Sequence, residues 1–445
     1  MSRARWMLIS LALAALERGA PAAADEGEGL PPSRRTLAEC LEATRAHSQR
    51  LKEAAAVVGE AEADRRVARG RFGPVVRLEA SAGRFDSPYS VSIPLSIPGV
   101  EVPPIQVRGR ATAQVSASLV QPIGSLWTIA EAHRAQELGE QAAKAEQVAT
   151  RNDVALEVAE AYVQALEAES LQQIADAAVR QIEAHLEQAR QLQSQEVVAR
   201  REVLKAEVGL GEAQSALAQA RAGGRLARLN LAFKMGLPAS AEVWPAPISE
   251  VVACETRFEA IDGEGRPELA VARRRFEQAQ TAERLAWSRM LPELNAVASA
   301  QHTEGIDFQP KNAWYVGGQL AWNLWEWGAT YYGVDAARAR TARAEAASAQ
   351  AREGLELERA SAQVAFETET ERLRVARVAV GEAEEEVRIV EQRFANQSAT
   401  GTEVLDAVTS LARARARESS ARHALCRARF RLIRAGEPAA RGGEG

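Results

Sequence analysis

The sequence predicts a mainly α-helical chain with a membrane β-barrel contribution. It reads as two tandem repeats, each of long coiled-coil helices and one β-hairpin. Three observations predict this. The 445 residues are only 5% aromatic and 26% charged, with Ala, Glu, Arg and Leu abundant, the composition of long helices. No proline interrupts residues 127–193 or 333–394. Ahead of each such run lies a pair of segments of about ten residues that alternate apolar and polar, as a strand lined by lipid on one side and water on the other requires.

Charge and apolar content exclude two classes. With 55 basic and 60 acidic residues the formal net charge is −5, which is no footprint for nucleic acid. No uncharged apolar run reaches the roughly 20 residues of a membrane helix. Residues 1–24 read as a signal peptide: Arg3 and Arg5 precede the apolar run from Trp6 to Leu16, and Ala22-Ala23-Ala24 offers a cleavage site. Cys40 follows Leu-Ala-Glu, which is no lipoprotein cleavage site. Cys40, Cys254 and Cys426 form no CxxC pair and are expected as buried small side chains.

The first repeat spans 25–235. A helix is expected from Ser33 to Arg71, capped by Thr36 or Ser33 and stopped by Gly70, Gly73 and Pro74. Strands follow at about 75–85 and 108–122. The helix from Trp127 to Gln193 would be roughly 100 Å long. A tip turn at about 194–201 leads into a helix over 202–235, ended by Gly236-Leu237-Pro238. Residues 236–267 are a connector. The second repeat, 268–435, restates the order: a helix over 268–290, strands at about 292–302 and 314–325, a helix over 333–394, a tip turn at about 395–402 and a helix over 402–435. Glu202-Val203-Leu204 and Glu403-Val404-Leu405 hold equivalent places, which marks a duplication. Residues 436–445 are expected as a disordered tail.

The helices are patterned to pair. Phe366, Leu373, Val380, Val387 and Phe394 recur every seventh residue, and Ala376, Ala383 and Val390 recur three positions on. Val148, Ala155 and Tyr162 keep the spacing in the first repeat. In the strands, Val76, Leu78, Ala80 and Ala82 oppose Arg77, Glu79 and Ser81. Ala111 to Leu119 opposes Thr112 to Ser118. Leu294, Ala296, Ala298 and Ala300 oppose Asn295, Ser299 and Gln301, with Val297 breaking the polar side. Trp314, Val316, Gly318, Leu320, Trp322 and Leu324 oppose Tyr315, Gln319 and Asn323. Trp314, Trp322, Trp325 and Trp327 near strand ends suit an aromatic belt at the membrane–water interface. A soluble half-buried sheet alternates in the same way. Four strands cannot close a membrane barrel, and open edges in lipid leave backbone groups unpaired. Three copies would supply twelve strands and twelve long helical segments in a ring. Residues 86–107 and 303–313 would be the outer hairpin loops.

With these residues in place the chain resembles the TolC-like outer membrane efflux proteins. Arg393-Phe394, Glu403-Val404-Leu405-Asp406-Ala407 and Leu411-Ala412-Arg413-Ala414-Arg415 are similar to that family's run at the turn between long helices, and Glu202-Val203-Leu204-Lys205-Ala206 echoes it. Arg266-Pro267-Glu268-Leu269, Leu291-Pro292-Glu293-Leu294 and Gln121-Pro122-Ile123-Gly124 resemble its junction motifs. The resemblance implies a homotrimer in outer-membrane lipid, with its α-helical tunnel in the periplasm and a belt formed around 236–267 and the C-terminal end. It implies a passive exit duct of a tripartite efflux or type I secretion system, with no cofactor. The implied partners are a periplasmic adaptor and an inner-membrane transporter of RND, ABC or MFS type, and the cargo stays open. Glu403 and Asp406 match an acidic pair at the periplasmic aperture, where three copies would ring the constriction with carboxylates. The hairpin tips would comprise Glu196, Val197, Arg201 and Glu202 in the first repeat and Phe394, Gln397 and Gly401 in the second. Two features depart from the family. Glu196 and Gln397 stand where it has glycine, with Gly401 a candidate for the second turn, and Phe394 stands where it often has tyrosine.

No HExxH, P-loop or GxSxG motif is present, and the five histidines are scattered, so an enzyme is not expected. The rival reading is a periplasmic coiled-coil adaptor or scaffold with a soluble β-domain.

Overall fold

The computed structural model describes residues 34–92, 103–238, 240–247, 266–307 and 309–436. The expected signal peptide, Ser33, Cys254, most of the connector and the last nine residues lie outside them. In chain order the elements are α1 (Leu37–His47), α2 (Gln49–Gly70), β1 (Val75–Arg84), β2 (Tyr89–Val91), β3 (Ile105–Pro122), α3 (Leu126–Ser194), α4 (Arg200–Lys234), α5 (Pro267–Ser288), β4 (Glu293–Ile306), β5 (Asn312–Ala321), α6 (Ala329–Ala395) and α7 (Gly401–Arg434).

The two long helices set the dimensions. At 1.5 Å per residue, the 69 residues of α3 and the 67 of α6 each extend about 100 Å. Shorter helices lie along them: α2 and α4 pack on α3, and α5 and α7 pack on α6. Contacts of α3 with α5 and α7 join the repeats. The heptad seam of α6 is the face it buries. Val380, Ala383, Val387 and Val390 interlock with Ala407, Leu411 and Ala414 of α7. The small side chains let the helices approach closely. The seam of α3 turns inward at mid-length, where Val158, Ala159, Tyr162 and Leu166 join Leu37 and Cys40 of α1, Leu231 of α4 and Phe430 of α7 in the main core.

The same core holds the start of the connector. Arg35 and Pro245 form a parallel bridge, with Arg35 N–H donating to Trp244 O at 2.8 Å and Ala246 N–H to Arg35 O at 2.8 Å. The Tyr162 hydroxyl lies 2.7 Å from Ala246 O and 3.1 Å from Arg35 O, tying α3 to this bridge. On the second repeat, Arg434 at the end of α7 pairs with Asp153 and Glu268, and Arg266 at the start of α5 donates to Arg434 O. Thus the end of α7 meets the start of α5, as the end of α4 meets the start of α2.

The sheet is antiparallel throughout, in the order β1-β3-β4-β5, with β2 on β3. Its register aligns the half-strand patterns. Leu78, Ala117, Ala300 and Trp314 form one row across the four strands, and Val76, Leu119, Ala298 and Val316 form another on the same face. Arg77, Ser118, Ser299 and Tyr315 form a row on the opposite face. Val297, the break in the polar pattern, falls in a small row with Val75, Val120 and Gly317.

Four expectations need correction. Residues 33–71 are not one helix: Ser48 is extended (φ −60°, ψ 122°) and separates α1 from α2. The end of α4 abuts this break, so that a Cβ on Gly236 would lie 2.8 Å from the His47 carbonyl. Strand β5 stops at Ala321 rather than 325, because its partner β4 begins at Glu293 and the preceding Pro292 has no N–H to continue the ladder. Trp322 instead donates its indole N–H to Met290 O at 3.2 Å. The expected loops contain strand: β2 and the start of β3 pair within 86–107, and β4 and β5 extend into 303–313. Finally, Cys40 is a buried free thiol, but Cys426 is disulfide-bonded, as an oxidising compartment permits. Spacing alone gave no sign of that bond.

Candidate functional site: helical tips and sheet face

Both long helices turn back through the same backbone device. At the end of α3, Glu196 N–H donates to Gln193 O and Val197 N–H to Leu192 O. At the end of α6, Gln397 N–H donates to Phe394 O and Ser398 N–H to Arg393 O. These paired bonds define a Schellman closure, whose turning residue takes a left-handed conformation. Glu196 (φ 61°) and Gln397 (φ 59°) both adopt it despite carrying a Cβ. Gly401 does not serve the second turn. It is the first residue of α7, and its missing side chain answers a different need.

The helices leaving the tips start differently. Thr400 caps α7: its hydroxyl accepts from Glu403 N–H at 3.3 Å, and the Glu403 carboxylate accepts from Thr400 N–H at 3.2 Å. This reciprocal pair explains why Glu403 folds back on its own helix. The N-cap of α4 is Ala199, which has no side-chain acceptor. Glu202, at the equivalent third position, crosses instead toward the second hairpin. A methyl on Gly401 would lie 3.1 Å from Glu202 Oε2 and 3.4 Å from His185 Nε2. Glu202 Oε1 accepts from Arg201 Nε at 3.1 Å, whereas the buried Oε2 has no hydrogen-bond partner among the described residues. His185 of α3 is buried and packs edge-on to Phe394 of α6, with ring centroids 4.9 Å apart. Burial holds its imidazole below the ordinary value, against the pull of Glu391 and Glu202. Lys205 Nζ donates to Thr402 Oγ1 at 2.8 Å across the same joint.

Of the residues expected at the tips, Glu202, Phe394 and Gly401 thus converge on one contact between hairpins. Glu196, Val197 and Gln397 belong to the turns, and Arg201 lies beside Glu202. Glu403 and Asp406 are both exposed on α7. His185, one of the five scattered histidines, and Thr402 carry no functional signal in the sequence. A lone histidine in a polar helical stretch gives no signal until four helices are brought together.

At the other end of the molecule the apolar sheet face is uncovered. Every residue of β1 is exposed, Leu78 at 73%. Trp314 stands out at 81% and Trp327 at 87%, and Trp322 and Trp325 are also exposed. Among the described residues, strands β1 and β5 each pair on one side only. Such a face with open edges marks a surface that another protein layer or a membrane covers.

Solved outer-membrane proteins share this fold. The protein VceC of Vibrio cholerae superposes with a TM-score of 0.74 at 20% identity, over 90% of this chain and 96% of that one. The CmeC channel of Campylobacter jejuni gives 0.74 at 16% identity, over 91% and 86%. The open state of the MtrE channel of Neisseria gonorrhoeae gives 0.71 at 18%, over 90% and 88%. No curated protein matches the chain significantly by sequence. The fold is therefore that of these outer-membrane proteins, and the barrel is not closed within one chain. The chain belongs to the outer membrane efflux protein family, whose model matches residues 40–237 and 263–435. Its place is the outer membrane, with the helices extending into the periplasm. Its relatives are channel proteins, not enzymes.

Proposed function

We propose that three copies of this chain close a twelve-stranded barrel and continue it as a helical tunnel, forming the passive exit duct of a tripartite efflux or type I secretion system. The sheet register carries this reading. It places four apolar half-strands on one face, leaves that face exposed, and leaves both sheet edges unpaired. Pairing β1 of one copy with β5 of the next satisfies the edges and turns the apolar face to lipid. Trp314 lies on that face, and Trp322 follows eight residues on, just past the end of β5, at most about 27 Å away. That spacing suits two interfacial levels of an aromatic belt. Trp325 and Trp327 follow at the strand-to-helix junction, where they stack edge-on at 5.9 Å.

Energy for export comes from an inner-membrane pump of RND, ABC or MFS type, reached through a periplasmic adaptor. Glu403 and Asp406 of three copies line the aperture as a carboxylate ring that favours cations. Because Glu403 also belongs to its helix cap, Glu403→Ala confounds charge with helix stability. Glu403→Gln with Asp406→Asn keeps the cap acceptor and removes the charge.

The test is reconstitution. Protein extracted in detergent should run as a heat-dissociable trimer and give stepwise current in planar bilayers, cation-selective in the wild type and less so in the double variant. Protein released without detergent as a non-conducting monomer would favour the soluble scaffold reading. Unchanged selectivity would remove the aperture assignment alone.

A further inference from the structure

We propose that His185 and Glu202 form a proton-operated catch on the joint between the two helical hairpins. With the imidazole neutral, Glu202 reaches over Gly401 to the N-terminal end of α7. With the imidazole protonated, the imidazolium draws that carboxylate back within the first hairpin and frees α7. The proposal adds a regulatory device to the proposed duct and rests on that reading for its functional meaning.

The geometry is specific to this joint. His185 comes from α3, Glu202 from α4, Phe394 from α6 and Gly401 from α7, so all four tip helices meet at one point. Glu202 Oε2 is buried and unpartnered, which is costly for a carboxylate oxygen unless something compensates. What lies nearest it is Gly401 at the start of α7, where the helix dipole favours negative charge although no backbone N–H donates to this oxygen. Glycine at 401 leaves room for this approach, since a Cβ there would sit a tight 3.1 Å from the oxygen. The repeat supplies an internal control. Glu403, the counterpart of Glu202, is occupied by Thr400, whereas Ala199 leaves Glu202 free to cross.

The charges around the catch are few. From α4 come Glu202, Arg201 and Lys205, the last 3.8 Å from Glu202 Oε1. From α6 comes Glu391, which accepts from Gln181 Nε2 of α3 at 3.2 Å. From α7 the nearest residues, Gly401 and Thr402, are uncharged, and Glu403 is held in its own cap. His185 Nε2 borders the same space as Glu202 Oε2, so an added proton finds that oxygen as its natural partner.

The direction follows from linkage. The closed joint holds His185 below its ordinary value of about 6.5, so the loosened joint binds the proton more readily. The joint is at full strength above about pH 6.5 and weakens as pH falls through the depressed value.

Two readouts on the full-length protein test this, each between about pH 7.5 and about pH 5.5 on the periplasmic side, a window in which an ordinary histidine changes charge. One is bilayer conductance. The other is amide exchange in residues 401–404, corrected for its intrinsic pH dependence. In the wild type both should rise several-fold on acidification. His185→Gln should be flat and low, and Glu202→Gln flat and high. A wild-type response retained in either variant overturns the catch, as does a wild type with no response. Should His185→Gln fail to fold, Glu202→Gln decides alone. Absence of current in every variant, with the exchange response intact, would refute the duct and leave the catch standing.

Discussion

Glutamates at the same position of two equivalent helices serve different ends here, and the residue three places earlier decides which. Thr400 holds Glu403 in a capping box; Ala199 holds nothing. Removing the cap with Thr400→Ala should cost about 1 kcal/mol, read as a lower denaturation temperature of the tip. Glu403→Gln should cost much less, because a glutamine still accepts from the Thr400 N–H. The left-handed turns invite a second substitution. A residue with a Cβ pays about 1–2 kcal/mol in that conformation, of which the greater unfolded freedom of glycine cancels part. Gln397→Gly should therefore stabilise the tip by about 0.5–1 kcal/mol, visible as slower amide exchange at residues 394–398. No change there would mean that the Arg393–Ser398 contacts, two hydrogen bonds of 3.0 Å, already offset the strain.

At the scale of the element, the join between the repeats' hairpins depends on one glycine. Between the pairs Ala113–Glu304 and Arg108–Ile306, residues 109–112 of β3 face only Gly305 of β4. This bulge keeps β3 paired to β1 while it bends away from β4. Gly305 has φ +81°, and a Cβ on it would lie 2.0 Å from Ala111 O, which is backbone and cannot swing aside. Gly305→Ala should cost about 2 kcal/mol or more and reduce the yield of heat-resistant trimer. A wild-type yield would show that the upper sheet tolerates a shifted register. Among the helices, Arg434 ends α7 between Asp153 and Glu268, with its guanidinium largely buried. Arg434→Ala leaves the two carboxylates without it and should destabilise the waist between α3, α5 and α7 by about 1–3 kcal/mol, measured by denaturant unfolding.

For the whole molecule the decisive quantity is the uncovered apolar face. Ala117 lies in the row Leu78–Ala117–Ala300–Trp314. If that row faces lipid near the interfacial level that Trp314 marks, Ala117→Arg should cost about 1 kcal/mol per copy and lower the amount assembled in the outer membrane. The neighbouring Ser118→Arg faces the other way and should assemble normally. Equal behaviour of the two variants would place both faces in the same solvent, against a barrel.

Much of this was legible from residue order. Proline-free runs with an apolar seventh-residue seam force long helices that must pair, and alternation at period two assigns each strand residue a face. The duplication reads directly from equivalent motifs. Sequence order also carried the family, because its junction motifs recur at the right places in both halves. Other features needed the folded chain. The helix break at Ser48 exists because the end of α4 arrives there, and the end of β5 at Ala321 exists because its partner strand starts no earlier. The meeting of His185, Glu202, Phe394 and Gly401 joins four helices from both repeats. Periodicity is a property of neighbours along a chain, so a single sequence displays it. A contact among four helices is set by how those helices stack, and no local pattern encodes it.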